Sequence, residues 1–169
     1  MSNAGDFIIE NGVLTKYLGK ETEVTIPEGV IVIGENVFLG KNIVRVIMSD
    51  TVEKIDRYAF RNCTMLKEVV FSKNLKRILW CAFQFCTKLK KVCLPESLES
   101  IKADAFGYCS QLKELVLPEH DLEIEHHAFN GSNKIEKITM PASIGSFVSK
   151  QFRFSEKLRI DIPDISALP

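Results

Sequence analysis

The stretch Leu89-Lys90-Lys91-Val92-Cys93-Leu94-Pro95, followed by Leu98, Ile101, Ala105-Phe106 and Cys109, decides the fold. Its pattern returns 23 residues later as Leu112-Lys113-Glu114-Leu115-Val116-Leu117-Pro118, with Ile124 and Ala128-Phe129 behind it. Working outward, the small-then-aromatic pair recurs as Val37-Phe38, Ala59-Phe60, Ala82-Phe83, Ala105-Phe106, Ala128-Phe129 and a degenerate Gln151-Phe152. The phenylalanines are spaced 22, 23, 23, 23 and 23 residues apart. The other apolar positions keep the step. Leu66, Leu89, Leu112 and Ile135 form one column, and Val69, Val92, Leu115 and Ile138 the next. Met48, Phe71, Leu94, Leu117 and Met140 form a third; Ile33, Ile55, Ile78, Ile101 and Ile124 form a fourth that Phe147 continues.

A unit of about 23 residues cannot bury its apolar side chains alone, whereas stacked copies bury each between its neighbours. Within a unit, Leu66-Lys67-Glu68-Val69-Val70-Phe71 ends in period-2 alternation, which predicts a short strand with Val69 and Phe71 facing in. Such strands pair in parallel, roughly 4.8 Å apart. Pro27, Pro95, Pro118 and Pro141 follow the strand and stop it, because proline has no N–H for the ladder. The spacing of Ile101, Ala105, Phe106 and Cys109 predicts one tight helical or 3-10 turn on the opposite side of the coil. The expected fold is therefore an α/β repeat solenoid, a right-handed superhelix with one short parallel strand per repeat and short helical or 3-10 turns opposite.

Residues 1–4 read as a cloning remnant. Residues 5–20 contain two short strands around Asn11-Gly12, a strong hairpin signal, and read as an N-terminal cap. Repeats are expected over 21–141, and a degenerate last repeat with a C-terminal cap over 142–169.

The unit at Leu89–Cys109 resembles the BspA-like leucine-rich repeat, also called the Treponema pallidum type. The resemblance covers roughly Val24 to Met140, and Asn11-Gly12-Val13-Leu14-Thr15-Lys16-Tyr17 looks like the lead-in of that family. It implies a binding scaffold, often surface-exposed or secreted in bacteria of the mouth and gut, with members that take part in adhesion. The chain departs from the pattern where the first unit is one residue short between Phe38 and Ile43, and where the last loses its Ala. Because one scaffold hosts many ligands, the resemblance implies a class of function and not a ligand.

Composition narrows the classes further. Lys plus Arg (22) balances Asp plus Glu (22), without the basic patch expected of a nucleic-acid binder. Apolar stretches such as Gly29 to Ile33 are far shorter than the ~20 residues of a membrane span, and no signal peptide opens the chain. Neither a nucleophile–base constellation nor a glycine-rich phosphate loop is recognisable, so no enzyme activity and no cofactor are expected. Cys63, Cys86 and Cys109 each lie three residues after a repeat phenylalanine, which places them in a row as small buried hydrophobes and free thiols. With Cys81 and Cys93 they make five, a number that cannot pair fully within one chain. His120, His126 and His127, near Glu123 and Glu125, read as a solvated surface and not as a metal site.

Two surfaces are the candidates for contact. Outward strand positions form a charged column, Glu23, Arg45, Glu68, Lys91, Glu114 and Lys137, whose sign alternates at every step. Beside it runs Thr25, Ile47, Val70, Cys93, Val116 and Thr139, apolar in its middle four. Arg45, Ile47, Glu68, Val70, Lys91, Cys93, Glu114 and Val116 are thus candidate ligand-binding residues. Charge alternation also serves coil registration, and β-branched residues also simply suit strands. On the turn side, Leu79, Trp80, Phe85 and Tyr108 stand where most units carry polar or small residues. They form a candidate patch for ligand binding or self-association, the alternative being rings that cover the core edge. The expected protein is a non-enzymatic protein- or glycan-binding module of a bacterial cell-surface or secreted adhesion-type protein. A structural spacer or self-assembly segment is the alternative.

Overall fold

The computed structural model describes residues 4–140 and 159–161. Strands are numbered in chain order. A hairpin of β1 (Phe7–Glu10) and β2 (Val13–Tyr17) turns at Asn11 and Gly12, both at positive φ, and carries an irregularity between Ile8 and Ile9. Where the sequence predicts one strand per repeat, each following coil as far as Ile124 contributes two, a three-residue strand and a two-residue strand. The former are β3 (Glu23–Thr25), β5 (Arg45–Ile47), β7 (Glu68–Val70), β9 (Lys91–Cys93), β11 (Glu114–Val116) and β13 (Lys137–Thr139), with β14 (Arg159–Asp161) beside β13. The latter are β4 (Val32–Ile33), β6 (Lys54–Ile55), β8 (Arg77–Ile78), β10 (Ser100–Ile101) and β12 (Glu123–Ile124). All coil-to-coil pairs are parallel and in the register of the repeat: Arg45 lies beside Glu68, Ile55 beside Ile78, Leu115 beside Ile138.

The repeated phenylalanines form the axis of the core. Phe38, Phe60, Phe83 and Phe106 are fully buried, and their rings stack with centroids 4.8, 4.9 and 5.1 Å apart and nearly parallel planes. Phe129 continues the stack at 5.4 Å. That spacing is close to the separation of paired strands, so one ring per coil fills the interior with offset contact along its length. At the N-terminal end Tyr17 of the hairpin covers Phe38 at 5.1 Å, and Phe7 covers Tyr17 at 5.1 Å.

The turns that carry the phenylalanines correct one sequence-based expectation. They are not helical: the described residues contain no α-helix, and their one 3-10 segment is Ala4–Asp6. The architecture is accordingly all-β and not α/β. In each turn the phenylalanine N–H donates across to the next coil, as from Phe60 to the Ala82 carbonyl and from Phe83 to that of Ala105. A helix would close such bonds within itself. Positive φ at the residues two before the phenylalanine (Asn36, Tyr58, Cys81, Asp104, His127) and two after it (Gly40, Asn62, Phe85, Tyr108, Gly131) also prevents helical continuation.

The sheet on the two-residue strands runs unbroken from β1 to β12. The three-residue strands instead fall into two sheets, β3-β5-β7 and β9-β11-β13-β14. Elsewhere the residue after the strand donates to the neighbouring coil, Met48 to the Val70 carbonyl and Leu94 to that of Val116, both at 2.9 Å; Phe71 makes no such bond to Cys93. Phe71 supplies the cause. It is the largest side chain of its column and packs edge-on to Phe83 at 5.8 Å, so the coil 66–88 encloses two phenylalanines where others enclose one with Met or Leu. A second ring in this coil accounts for the absence of ladder hydrogen bonds between β7 and β9. Val69 and Phe71 are consequently only partly buried, while their counterparts Val46, Val92, Met48 and Leu94 are buried.

Two outcomes are expected. Phe71→Leu should let β7 pair with β9, so that the amides of residue 71 and Lys91 exchange more slowly with deuterium; unchanged exchange would remove Phe71 as the cause. Phe83→Ala should lower unfolding free energy by about 3–5 kcal/mol, against about 0.5–1.5 for Ile78→Val, measured by urea unfolding.

Candidate functional site

The strand face is presented as expected in register. Val70 is 39% exposed, Cys93 is exposed, and Ile47 and Val116 are half-buried, so an apolar stripe crosses the middle strands. The charged column beside it resolves into discrete pairs: Arg45 Nε to Glu68 at 3.0 Å, Lys91 Nζ to Glu114 at 3.2 Å and Lys137 Nζ to Asp161 at 3.0 Å. Glu68 and Lys91, on either side of the opening between β7 and β9, pair away from it. The ladder beneath the stripe is therefore interrupted at its centre, between β7 and β9, where Val69 and Phe71 are only partly buried. Exposed ion pairs of this kind each contribute only about 0–1 kcal/mol, so the column sets register and charge pattern more than stability.

The turn side brings two of the predicted aromatic residues into contact. Phe85 and Tyr108 stack at 5.0 Å, and Tyr108 is 43% exposed. Tyr108 lies over Gly131, where an added Cβ would come within 2.5 Å of its ring. Trp80 is 41% exposed, and Leu79 beside it is half-buried. Trp80 is held from across the coil of Ala103 by a hydrogen bond to Glu125. Burial alone would raise the Glu125 carboxyl, but hydrogen bonds from the Ala103 N–H, Lys102 and Trp80 bring it below its ordinary value. Lys102 is correspondingly raised by Glu123, at 2.8 Å, and by Glu125, at 3.1 Å.

Residues that the repeat alignment passed over complete this patch. The Arg61 guanidinium stacks on both Tyr58 (5.4 Å) and Phe85 (5.8 Å), forms no ion pair among the described residues, and has a buried Nε without a partner. Asp104 likewise forms no ion pair among them, and its Oδ1 is buried without a partner. Tyr58, Phe85 and Tyr108 occupy φ values of 59°, 63° and 56°, a region costly for bulky residues, at about 1–3 kcal/mol each. Asn62, Gly40 and Gly131, in the same column as Phe85, are the ordinary occupants. The signal available in sequence was this substitution of rings for Asn and Gly, but its conformational cost appears only with φ.

The cysteine row is buried and built into the backbone. The thiols of Cys63, Cys86 and Cys109 donate to the carbonyls of Phe38, Phe60 and Phe83 at 3.0, 3.3 and 3.3 Å. Ser132 continues the row, donating to Phe106 O at 2.7 Å and accepting from the Cys109 N–H at 2.9 Å. Burial pushes the Cys63 and Cys109 thiols up to about 12 and Cys86 well above its ordinary value. All five cysteines are free. His120 faces two carbonyls, of Asp121 and Glu96, each at 2.8 Å, while the His126 and His127 rings are 6.5 Å apart and tilted. Among the described residues no group of three or more His, Cys, Asp or Glu could hold a metal ion, and no helix is long and apolar enough to cross a membrane. A shallow cleft of about 220 Å³ lies at the N-terminal end between Tyr17, Gly19, Lys20 and Lys41.

These features define a leucine-rich-repeat solenoid whose polar chemistry lies on its surfaces. The pattern of the BspA type leucine rich repeat region matches residues 31–159 in six copies, and the chain belongs to that family. A leucine rich repeat protein of T. pallidum is 29% identical, with a TM-score of 0.78 over 84% of this chain and 72% of that one. A leucine rich cell surface protein of Faecalibacterium prausnitzii is 27% identical, TM-score 0.73, over 85% of this chain but only 38% of its own. A leucine-rich repeat protein of Bacteroides capillosus is 28% identical, TM-score 0.58, over 83% of this chain and 98% of that one. Comparison with curated proteins gives no match.

In the folded protein a maleimide should modify Cys93 fastest and Cys81 more slowly, leaving Cys63, Cys86 and Cys109 unmodified until denaturant is added. Intact-mass spectrometry with peptide mapping reads this directly; early labelling of the buried row would refute the thiol–carbonyl arrangement.

Proposed function

We propose that this chain is a non-catalytic binding module that captures a protein or glycan through its strand face, as part of a bacterial cell-surface or secreted adhesion-type protein. The observation that carries the reading is the apolar stripe Ile47, Val70, Cys93 and Val116, exposed or half-buried, flanked by the pairs Arg45–Glu68 and Lys91–Glu114, with Phe71 partly exposed where strand pairing lapses at its centre. An apolar surface rimmed by polar residues is the usual form of a contact site. A rigid array of short strands presents it without ordering cost, because parallel pairing and core stacking already fix the residues. The likeness to a leucine rich cell surface protein supports the location. Within this reading, residues 5–20 act as the N-terminal cap: Tyr17 and Phe7 close the end of the phenylalanine stack. The C-terminal cap expected over 142–169 falls mainly outside the described residues, as does the segment 1–3.

The second reading, a self-assembly segment, is favoured by a different observation: the turn-side rings at strained backbone positions, which the repeat does not require.

The test of the first reading is an array of host extracellular proteins and glycans probed with wild type and with a Val70→Glu, Val116→Glu double variant. The double variant should bind at least about tenfold more weakly, which is 1.4 kcal/mol, with an unchanged thermal transition. Equal binding by a folded double variant would move the contact away from the strand face.

A further inference from the structure

The turn side is self-complementary about its centre. In the column two residues before the repeat phenylalanine, Tyr58, Cys81 and Asp104 succeed one another on three adjacent coils, all at positive φ. Burial pushes the Cys81 thiol up, Asp104 adds to the effect and Arg61 opposes it, so the two charges act on Cys81 from its two sides. Arg57 on the coil before Cys81 is paired with Glu35 at 3.5 Å, and Lys102 on the coil after it with Glu123 and Glu125, so the charges left over on this face are Arg61 before and Asp104 after. Neither Arg61 nor Asp104 has an ion-pair partner among the described residues, although Arg61 is held flat between two rings. Between them the central coil presents Trp80 and Phe85, apolar and partly exposed. Beyond them, Glu35 of the first coil corresponds to His126 of the fifth.

We propose that this face joins two copies of the chain in an antiparallel, two-fold contact centred on Cys81, in which Arg61 of each copy pairs with Asp104 of the other. The proposal rests on the reading of the chain as a contact module and names the partner of its turn side. A two-fold axis maps the coil before Cys81 onto the coil after it, so a face with Arg61 left over on one side, Asp104 on the other and apolar rings in the middle meets its own complement. The rings of Trp80, Phe85 and Tyr108 then form the dry centre, and the charged pairs lie toward the rim, where they set orientation. A foreign acidic ligand would use Arg61 but leave Asp104 facing like charge, which is why a second copy fits this surface better. The backbone strain at Phe85 and Tyr108 is accounted for by the same contact, since it places rings where Asn or Gly would leave the surface bare.

The test is sedimentation velocity of the full chain over a concentration series. Wild type should show a monomer–dimer equilibrium, and Arg61→Asp and Asp104→Arg should each weaken it at least tenfold. The double exchange Arg61→Asp, Asp104→Arg should restore it, because in a two-fold contact both pairs are then re-formed with reversed sign. As a readout independent of those variants, a short bis-maleimide should link two copies in a Cys93→Ser background and fail to do so when Cys81 is also Ser. A wild type that stays monomeric through millimolar concentration overturns the proposal, as does a folded double exchange without recovery or a cross-link that persists without Cys81. The strand face is unaltered in the Arg61 and Asp104 variants, so loss of partner capture and loss of dimer are read separately.

Discussion

The rest of this structure depends on one constraint: parallel strands pair about 4.8 Å apart, and every layer of the molecule must share that step. Aromatic rings stacked with offset have nearly the same thickness, so one phenylalanine per coil keeps the interior and the backbone in phase from Phe38 to Phe129. Because all coils obey it, a residue chosen for one coil is stacked on its equivalents in the next. The isoleucines of the two-residue strands, the leucines before the three-residue strands and the thiols that donate to the phenylalanine carbonyls are consequences of that stacking.

Departures from the constraint are local and have identifiable causes. Phe71 puts a second ring into a coil sized for one, and the backbone yields on one side while the two-residue strands on the other remain paired. The solenoid gives up strand pairing there, on the face that carries the apolar stripe, and leaves Val69 and Phe71 partly exposed. On the turn side the departure is conformational. Phe85 and Tyr108 adopt φ values that Gly or Asn would adopt at lower cost, and their stacking with Arg61 and over Gly131 offsets part of that cost. The two unusual surfaces therefore arise from different physics, overfilling on one side and backbone strain on the other, and each alters a different contact region.

Function in such a scaffold resides in what is added to the repeat. The outward stripe, the break in pairing at Phe71 and the turn-side rings are where this chain departs from its own repeat, and their chemistry is apolar with paired or balanced charge. That chemistry suits recognition of a surface. Among the described residues the strongly shifted groups are the thiols of the core row, which burial keeps protonated.

Sequence by itself determined the period, the inward columns and one parallel strand per repeat with its register, because each follows from side-chain type repeated at a fixed step; the second, two-residue strand of each coil emerged only in the structure. It also determined that the three cysteines are a core row and that Trp80, Phe85 and Tyr108 exceed what the repeat needs. Only the tertiary structure decided how the turns are built, since Ala-Phe spacing fits a helical turn equally well and the choice lies in backbone bonds made between coils. It alone decided that Phe71 opens the strand face, because the column tolerates Leu, Met or Ile and the penalty for Phe depends on the ring already beside it. It alone brought Arg61 and Asp104 to either side of Cys81, as residues one coil apart in space are about 23 apart in the chain, and an alignment that compares only like positions does not show which unlike ones meet.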